Sequence, residues 1–299
     1  MKDAIIKLLK NPQMILVELD RKGIIRLTDK NYLKILYKKM FNKKLNLANL
    51  QTFNEKLQWL KLYDRNPEYA KMVDKYETKK YVANVIGEEY IIPTLGIYDS
   101  FDEIDFEELP DKFVMKCTHD SGSTIVCKEK EKFDKKKAKN KINKCLRKNF
   151  YYEFREWTYK NVKPRIIIEK YMEDSELKEL VDYKVYAFNG ECDYLMACYD
   201  REKGNIKFFY YDRAWNLIKR FSNDGMKYGD SIKIPKPKEL NKMFEFASIL
   251  SKNIPFVRVD FYEANGKLYF GELTFYPNAG FETGRTKELD DYLDSKLKI

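Results

Sequence analysis

The chain has 299 residues, of which 44% are hydrophobic and 15% aromatic, enough for one large domain or two modest ones and too apolar for a disordered protein. The single histidine excludes a metal site built from several histidines and argues against a Ser–His–Asp hydrolase. The five cysteines lack zinc-ligand spacing, and no apolar run is long enough to span a bilayer. We therefore expect a protein of the reducing cytoplasm, without an export signal.

The net charge of +10 is concentrated near the N-terminus. Residues 1–50 contain 12 Lys or Arg against 4 Asp or Glu, a net charge of +8. Apolar residues at helical spacing in 4–9 and 32–41 predict basic helices. Two interpretations fit this region: a surface for an acidic partner such as a membrane, a polyanionic glycan or a nucleic acid, and a solvated helical surface without a partner.

Two further helices are predicted next. The pattern over 53–63 indicates a helix, with Thr52 or Asn54 as its N-cap. Its expected buried face consists of Trp59, Leu60 and Tyr63. A longer helix is predicted over about 70–86 and ends at Gly87, because glycine readily adopts the backbone conformation that closes a helix.

A short strand at 91–97 precedes a strand–loop–strand segment at 113–128. The first strand of that segment carries Lys116 among apolar residues. Because a charged side chain is costly there, Lys116 should face a ligand anion or a carboxylate. The loop 120–124 offers backbone N–H groups and hydroxyls that can wrap phosphate oxygens. It has one glycine and no P-loop motif, so a plain hairpin turn is the alternative interpretation.

The second half of the chain consists mostly of predicted strands. These cover residues 165–172, 182–190, 193–199 and 208–211. Helices are predicted over 133–150 and 239–252, with a short one near the C-terminus. This order of elements, with short turns between neighbouring strands, predicts an α+β fold with a mostly antiparallel sheet.

The stretch 256–274 has the pattern of a β-hairpin with charges inside apolar strands. Its turn signal is Asn265–Gly266, the strongest short-range indication of a hairpin. The charged residues within the strands are Arg258, Asp260 and Glu272. Such charges are costly unless they are paired or bind a metal, so this hairpin is a candidate site.

The pairing of the two strands decides whether these charges meet. We expect a three-residue loop, Ala264–Asn265–Gly266, because it places Glu272 across from Arg258 and on one face with Asp260. A two-residue turn would put the carboxylates on opposite faces. Two carboxylates and an arginine on one face suit Mg²⁺ and phosphate oxygens. A structural ion network at a sheet surface is an equally good interpretation of the hairpin alone.

Five segments together resemble the TupA-like (teichuronopeptide biosynthesis) ATP-grasp family. They are FNEKLQWLKLYDRN, the DKY…KKYV…IGEEYIIP run, FVMKCTHDSGS, DYKVYAFNG and FGELTFYPNAGFE, and they extend from about residue 45 to 283. The resemblance implies an ATP-grasp fold, in which two α+β lobes clasp ATP. We divide the chain into a basic helical region at 1–72, a first lobe at about 73–181 and a second lobe at 182–299.

The resemblance also implies roles for individual residues. The expected phosphate ligands are Lys79, Lys116 and the loop residues His119, Ser121, Gly122 and Ser123. The adenine is expected at Glu169, Lys170 and Met172, and the ribose at Glu176 or Asp182. The catalytic cations are expected to be Lys116, Lys184 and Arg258, with Arg258 toward the phosphorylated intermediate. The Mg²⁺ ligands are expected to be Asp260, Glu272 and Thr274, the last standing where many ATP-grasp enzymes have Asn.

Such a family member is expected to join a carboxylate to an amine through an acyl phosphate, with ATP and Mg²⁺. The leading hypothesis is an amino acid or amine attached to a uronic acid or similar group of a cell-surface polysaccharide. The acceptor would be an acidic saccharide or lipid-linked glycan, reached by peripheral association with the inner membrane face. We expect no nucleic-acid partner. An ATP-grasp kinase of a sugar or small molecule and a capsule glycosyltransferase are the alternatives.

Overall fold

A computed structural model of the protein describes residues 13–175, 180–200 and 204–299. The helix expected at 4–9 and the ribose candidate Glu176 lie outside the described residues. The helices of the described part are α1 Gln13–Arg21, α2 Asp29–Phe41, α3 Phe53–Tyr63, α4 Tyr69–Val73, α5 Glu77–Ile86, α6 Lys135–Leu146, α7 Tyr151–Phe154, α8 Asn223–Tyr228, α9 Leu240–Leu250 and α10 Lys287–Lys296. Within these ranges, no helix has the length and apolar character needed to cross a membrane.

Nine strands in the same part of the chain form two sheets. The strands are β1 Thr94–Tyr98, β2 Phe113–Cys117, β3 Ile125–Cys127, β4 Ile166–Lys170, β5 Asp182–Ala187, β6 Tyr194–Tyr199, β7 Lys207–Asp212, β8 Val257–Ala264 and β9 Lys267–Thr274. One sheet has the order β1-β4-β2-β3 and the other β7-β6-β5-β8-β9. All strand pairs are antiparallel, which confirms the predicted α+β architecture.

The four-stranded sheet has one apolar and one charged face. Met115 of β2 and Ile168 of β4 are fully buried and pack with Ile142 of α6. Because side chains alternate along a strand, Lys116 and Glu169 lie on the opposite face. That face carries the side chains that could meet a ligand.

The five-stranded sheet also has one apolar face and one charged face. Val259 and Phe261 are fully buried in a core that also contains Phe244 of α9 and Val82 of α5. Lys184 pairs with Asp260 across β5 and β8, on the face opposite this core. The two sheets therefore both have an apolar side and a charged side.

The helix predicted over about 70–86 is two helices, α4 and α5, with Asp74, Lys75 and Tyr76 between them. Asp74 causes the break, because its Oδ1 accepts hydrogen bonds from the backbone N–H groups of Tyr76 and Glu77. The side chain thus replaces the helical hydrogen bonds at this point. Lys75 is left on a turn rather than on a helix.

Helix α3 begins as predicted, and of its expected buried face Leu60 is buried, Trp59 is partly buried and Tyr63 is exposed. Thr52 is its N-cap and accepts a hydrogen bond from the Glu55 N–H. The prediction that Tyr63 is buried is wrong, since Tyr63 is 51% exposed, whereas Lys61 is only 1% exposed. The reason is that backbone carbonyls and a side-chain amide surround the Lys61 ammonium, so its burial leaves no donor unsatisfied.

The N-terminal helices are packed onto the rest of the protein. Tyr32, Leu33 and Leu36 of α2 share a buried cluster with Ala279 and Phe281. A buried arginine reinforces this contact through carboxylates of the N-terminal region: Arg155 pairs with Asp20 and Asp29. The basic region is therefore structurally continuous with the C-terminal third of the chain.

The hairpin differs from the prediction in its loop but not in its faces. Ala264 pairs with Lys267, so the loop contains only Asn265–Gly266, both at positive φ, and the expected three-residue loop is wrong. An irregularity between Asp260 and Phe261 admits one extra residue, Gly271, into β9. This bulge reverses the parity of the residues that follow it.

Because of the bulge, Glu272 lies opposite Asp260 instead of the expected Arg258, which lies opposite Thr274. Cross-strand neighbours share a face, and so do residues two apart on one strand. The prediction that Arg258, Asp260 and Glu272 occupy one face is therefore confirmed.

Candidate active site

A cleft of about 1490 Å³ lies between the charged faces of the two sheets. The first sheet lines it with Val114, Lys116 and Glu169, and the second with Lys184 and Arg258. Since most of these side chains carry charge, the cleft is suited to a polar, multiply charged ligand.

Glu169 lies between the two lysines that were expected to hold phosphates. Its Oε1 is 2.5 Å from the Lys79 Nζ and its Oε2 is 2.5 Å from the Lys116 Nζ. Burial acts to raise the pKa of the Glu169 carboxyl, but the charges of Lys116 and Lys79 outweigh it, so that the pKa lies below its ordinary value. The Glu169 side chain thus holds the lysines in place, whereas an adenine contact had been expected.

Lys79 itself is turned into the protein. Besides Glu169, its ammonium bonds the Ile92 carbonyl at 2.6 Å and the Thr94 hydroxyl at 3.1 Å. Burial lowers the pKa of Lys79, and Glu169 partly offsets this effect. These contacts use its donors, and Lys79 is not among the residues that line the cleft.

Lys75, which the sequence analysis did not single out, lines the cleft instead. Its ammonium donates a hydrogen bond to the Asp120 carbonyl. Burial lowers the pKa of Lys75, while the charges of Glu272 and Asp120 act to raise it. This lysine therefore lies in the electrostatic field of both the 118–124 loop and the hairpin. Its only sequence signal is its place in the DKY motif.

The loop after β2 presents only part of its expected ligands to the cleft. Ser121 and Gly122 line the cleft, and Gly122 has a φ of +95° with open space around it. The Ser123 hydroxyl accepts from the Cys117 N–H at 2.8 Å and bonds an Asp120 oxygen at 2.5 Å. Ser123 thus fixes the shape of the loop from within.

His119 is also directed away from the cleft. Its Nε2 lies 3.2 Å from the Cys145 carbonyl and 3.0 Å from the Lys148 carbonyl, both at the C-terminal end of α6. The residue is 2% exposed. In this arrangement the imidazole ties the loop to α6, and neither its ring nor the Ser123 hydroxyl is placed to contact a phosphate.

The segment after β4 lines another part of the cleft. Lys170, Tyr171 and Met172 border it, as does Asp182 at the start of β5. The Asp182 carboxylate is 2.7 Å from the Lys184 ammonium. The residues expected at the adenine and at the ribose are thus brought to one cavity.

The hairpin contains a buried cluster of ions. Arg258 donates two hydrogen bonds of 2.7 Å to the Asp260 carboxylate, and Lys184 donates a further one. Burial would raise the pKa of Asp260, but Arg258 and Lys184 outweigh it and lower the pKa. Arg258 also donates to the Thr274 hydroxyl at 3.1 Å.

Glu272 is the exposed residue among the three charged side chains Arg258, Asp260 and Glu272. Its side chain is 51% exposed, and its Oε1 is 3.7 Å from the nearest Arg258 nitrogen. Two carboxylates and a hydroxyl on neighbouring positions are hard oxygen donors of the kind that Mg²⁺ prefers. Of the three expected Mg²⁺ ligands, Glu272 has oxygens open to the cleft, whereas the Asp260 oxygens bond Arg258 and Lys184 and the Thr274 hydroxyl accepts from Arg258.

Comparison with known proteins gives a family match. A family model described as TupA-like ATPgrasp matches residues 55–298. No curated protein sequence matches the chain.

Several solved structures are similar to the chain at low sequence identity. The D-alanine–D-alanine ligase of Bacillus anthracis complexed with ATP is 14% identical over 69% of this chain and 54% of its own, with a TM-score of 0.38. The corresponding ligase of Helicobacter pylori is 14% identical over 76% and 56%, with a TM-score of 0.41. The ATP-grasp ligase PsnB with minimal precursor, Mg and ADP is 11% identical over 82% and 66%, with a TM-score of 0.40. The chain thus spans between about half and two thirds of their lengths.

Proposed function

The chain belongs to the TupA-like ATP-grasp family, and from this premise we propose that it is an ATP-dependent ligase that joins a carboxylate to an amine through an acyl phosphate. One observation carries the proposal. The cleft is lined by Lys75, Lys116, Lys184 and Arg258 and also by Glu272, whose carboxylate lies opposite Asp260. Such a combination suits a polyphosphate with its divalent cation.

In this proposal the nucleotide lies along the first sheet and its following segment. Lys116 and Lys75 neutralise the phosphates, and the Ser121–Gly122 part of the loop covers them. Glu169 and Lys79 position Lys116 and make no contact with the nucleotide through their side chains. The segment from Lys170 to Met172 borders the adenine, and Asp182 binds the ribose.

The chemistry is phosphoryl transfer followed by acyl transfer. An oxygen of the substrate carboxylate forms a bond to the γ-phosphorus as the bond to the ADP oxygen breaks. An amine then attacks the acyl carbon and expels phosphate. Arg258 and Lys184 oppose the negative charge that gathers when carboxylate and phosphate meet. Bound by Asp260, Glu272 and Thr274, Mg²⁺ would neutralise charge on the phosphate oxygens.

The carboxylate substrate is proposed to be a uronic acid or similar group of an acidic saccharide or lipid-linked glycan. Two features support an acidic acceptor. Helix α2 exposes Lys30, Lys34 and Lys38 at intervals of four, which places them on one face. The C-terminal end of the same helix borders the cleft through Met40. An inner membrane face that carries such a glycan would attract these lysines as well.

The experiment is a screen for ATP consumption with Mg²⁺, in which uronic acids are paired with amino acids and the products are weighed by mass spectrometry. We expect ADP and phosphate release that depends on both partners, together with a product of amide mass. A phosphorylated sugar in place of an amide would indicate a kinase and overturn the ligase proposal. Stabilisation by nucleotide sugars and none by ATP with Mg²⁺ would indicate a glycosyltransferase.

A further inference from the structure

One wall of the cleft combines a buried carboxylate with aromatic rings. Glu156 lines the cleft and is only 7% exposed. The aromatic residues that line the cleft together with it include Phe154, Tyr159, Tyr276 and Phe281. Aromatic faces and a carboxylate both attract cations, so this wall differs in chemistry from the lysine- and arginine-rich part of the cleft.

The Glu156 carboxylate is not in direct contact with a positively charged group of the described residues. Throughout residues 13–175, 180–200 and 204–299, its carboxylate makes no hydrogen bond and no ion pair within 4.0 Å. A carboxylate this buried ordinarily has such a partner. An unpaired carboxylate at the surface of a cleft is therefore open to a ligand.

A buried lysine lies near Glu156 without bonding its carboxylate. The Lys61 ammonium donates to the Gln58 Oε1 at 3.0 Å, to the Phe154 carbonyl at 3.1 Å and to the Ala279 carbonyl at 2.6 Å. An ammonium has three N–H donors, and here all three are used. Lys61 thus lies near Glu156 without bonding it; burial lowers the pKa of Lys61 to about 7, and the charge of Glu156 acts to raise it. The Glu156 oxygens stay open toward the cleft.

The backbone around Arg155 directs Glu156 away from the N-terminal helices. Arg155 has a φ of +57°, in the left-handed region that non-glycine residues rarely adopt. Its guanidinium is held among the N-terminal helices by Asp20 and Asp29 and lies 4.0 Å from the ring centre of Tyr32. With Arg155 anchored on that side, the next side chain extends toward the cleft. Strain of this kind is common at functional sites.

Tyr159 connects this wall to the hairpin. Burial raises the pKa of the Tyr159 hydroxyl, the charges of Glu156 and Glu272 raise it further, and Arg258 opposes them. Tyr159, Glu272 and Arg258 line the same cleft as Glu156. Glu156 therefore opens onto the cavity in which the acyl phosphate would form.

We propose that Glu156 binds the ammonium group of the amine substrate and accepts one of its protons. This inference rests on the proposed ligase function and adds the amine site to it. The aromatic rings exclude water around the ammonium; two of them, Tyr276 and Phe281, also lie 5.7 and 4.7 Å from the Lys61 ammonium. Burial raises the pKa of Glu156, although Lys61 acts to lower it, and such a carboxylate is a more effective base near neutral pH than an exposed one.

The proton balance of the step follows from this assignment. The ammonium gives one proton to the Glu156 carboxylate and becomes a neutral amine with a free electron pair. That pair forms the C–N bond to the acyl carbon, and the bond from the acyl carbon to the phosphate oxygen breaks. The nitrogen then loses a second proton to the departing phosphate, which leaves as hydrogen phosphate. Glu156 releases its proton to solvent when the amide product leaves.

The test uses benzylamine as the cationic probe and benzyl alcohol as its uncharged counterpart, with binding measured by calorimetry near neutral pH without nucleotide. We expect the wild-type protein to bind benzylamine about tenfold or more tightly than benzyl alcohol, because only the amine forms a charged pair. Glu156→Gln should remove this preference. Glu282→Gln is the matched control: Glu282 also lines the cleft but is already paired with Arg285 at 2.8 Å, so the preference should remain.

Three results overturn the inference: wild-type protein that binds neither probe, wild-type protein that binds both alike, and a Glu156→Gln variant that keeps the preference. If the glutamine variant does not fold, Glu156→Asp replaces it and should weaken the preference without abolishing it, because the carboxylate is set back by one methylene. The ligase proposal is tested separately by ATP binding. Absence of ATP binding would overturn that proposal and leave the benzylamine result standing.

Discussion

Asp260 and Glu272 lie directly opposite each other on β8 and β9, yet the Asp260 side chain is 1% exposed and the Glu272 side chain 51%. The difference arises because Arg258 and Lys184 cover Asp260, whereas Glu272 reaches into the cleft. Two adjacent carboxylates thus have different consequences when they are removed. The first two substitutions below exploit this difference.

Glu272→Gln should leave the fold and most of the ATP affinity intact and lower turnover by about 100-fold or more, because an anionic metal ligand is lost where charge builds up. The measurements are thermal unfolding, ATP affinity and ATP turnover as a function of Mg²⁺ concentration. If Arg258, Asp260 and Glu272 form only a structural ion network, the opposite result is expected: the variant would lose stability, while turnover per folded molecule would hardly change.

Asp260→Asn should reduce the free energy of unfolding by about 3–5 kcal/mol, because Arg258 and Lys184 would remain buried without their carboxylate. Glu173→Gln is the control. It removes a carboxylate from an exposed pair with Lys112, at 2.8 Å, and should cost less than about 1 kcal/mol. Equal losses in the two variants would contradict the assignment of Asp260 as the centre of a buried cluster.

The same cluster predicts how stability depends on pH. The native pKa of Asp260 is lowered, so its contribution is complete above the unfolded-state pKa of about 4 and is lost as the pH falls through the native pKa. The difference in unfolding free energy between wild type and Asp260→Asn should therefore shrink in acid. Chemical denaturation at a series of pH values measures this difference in unfolding free energy. A difference that grows in acid would contradict the lowered pKa of Asp260.

Much of this site could be predicted from sequence because its signals are local. Lys116 in an apolar strand required an anion, and the structure supplies Glu169. The change of parity in β9 was also visible, since Leu268 and Phe270 are buried at even positions and Leu273 at an odd one, with Gly271 between them. A glycine at such a phase change is typical of a bulge, and recognising it would have given the correct loop.

The rest of the site depends on contacts between distant parts of the chain. The acceptors of Lys61 include carbonyls of Phe154 and Ala279, far away in sequence, so nothing around position 61 indicates that a lysine is buried there. Lys75 faces the cleft only because Asp74 interrupts the helix. Local patterns predicted the elements, while these side chains were placed by the packing of the elements against one another.

Lys75→Ala and Lys79→Ala should separate nucleotide binding from support of the fold. Lys75 lines the cleft, so its removal should weaken ATP binding by about 10- to 100-fold with little change in unfolding temperature. Lys79 is buried against Glu169, so its removal should cost stability of about 3 kcal/mol. Calorimetry with ATP and thermal unfolding test both variants. Lower stability of Lys75→Ala together with weaker ATP binding by a stable Lys79→Ala would contradict the assignment.

Replacing Lys30, Lys34 and Lys38 together by Gln should weaken binding to vesicles that contain anionic lipid and leave ATP affinity unchanged. Each lysine near an anionic surface contributes about 1 kcal/mol. The matched control replaces three exposed lysines of α6, Lys136, Lys137 and Lys144, by Gln. Equal losses in both triple variants would mean that overall charge, rather than the α2 surface, determines the binding.

Gly271→Ala tests whether the bulge sets the geometry of the hairpin. A Cβ at this position would lie 2.9 Å from the Tyr262 Cε2 and 3.1 Å from the Asp260 carbonyl oxygen, so β9 must shift. The expected loss of stability is about 1–3 kcal/mol. Because Glu272 is the next residue, the shift should also lower Mg²⁺-dependent turnover by about 100-fold, as small misplacements of a reacting group can do.

Gly284→Ala is the control for that experiment, because nothing lies within 4 Å of the added methyl group. Both variants are compared by thermal unfolding and by turnover at saturating Mg²⁺. If Gly271→Ala retains full turnover and stability, the bulge does not need a glycine, and the pairing of Asp260 with Glu272 cannot depend on one. If stability falls and turnover per folded molecule stays constant, the bulge serves the fold alone. If Gly271→Ala loses both stability and turnover per folded molecule while Gly284→Ala keeps both, the glycine at the bulge is needed to position the metal ligand Glu272.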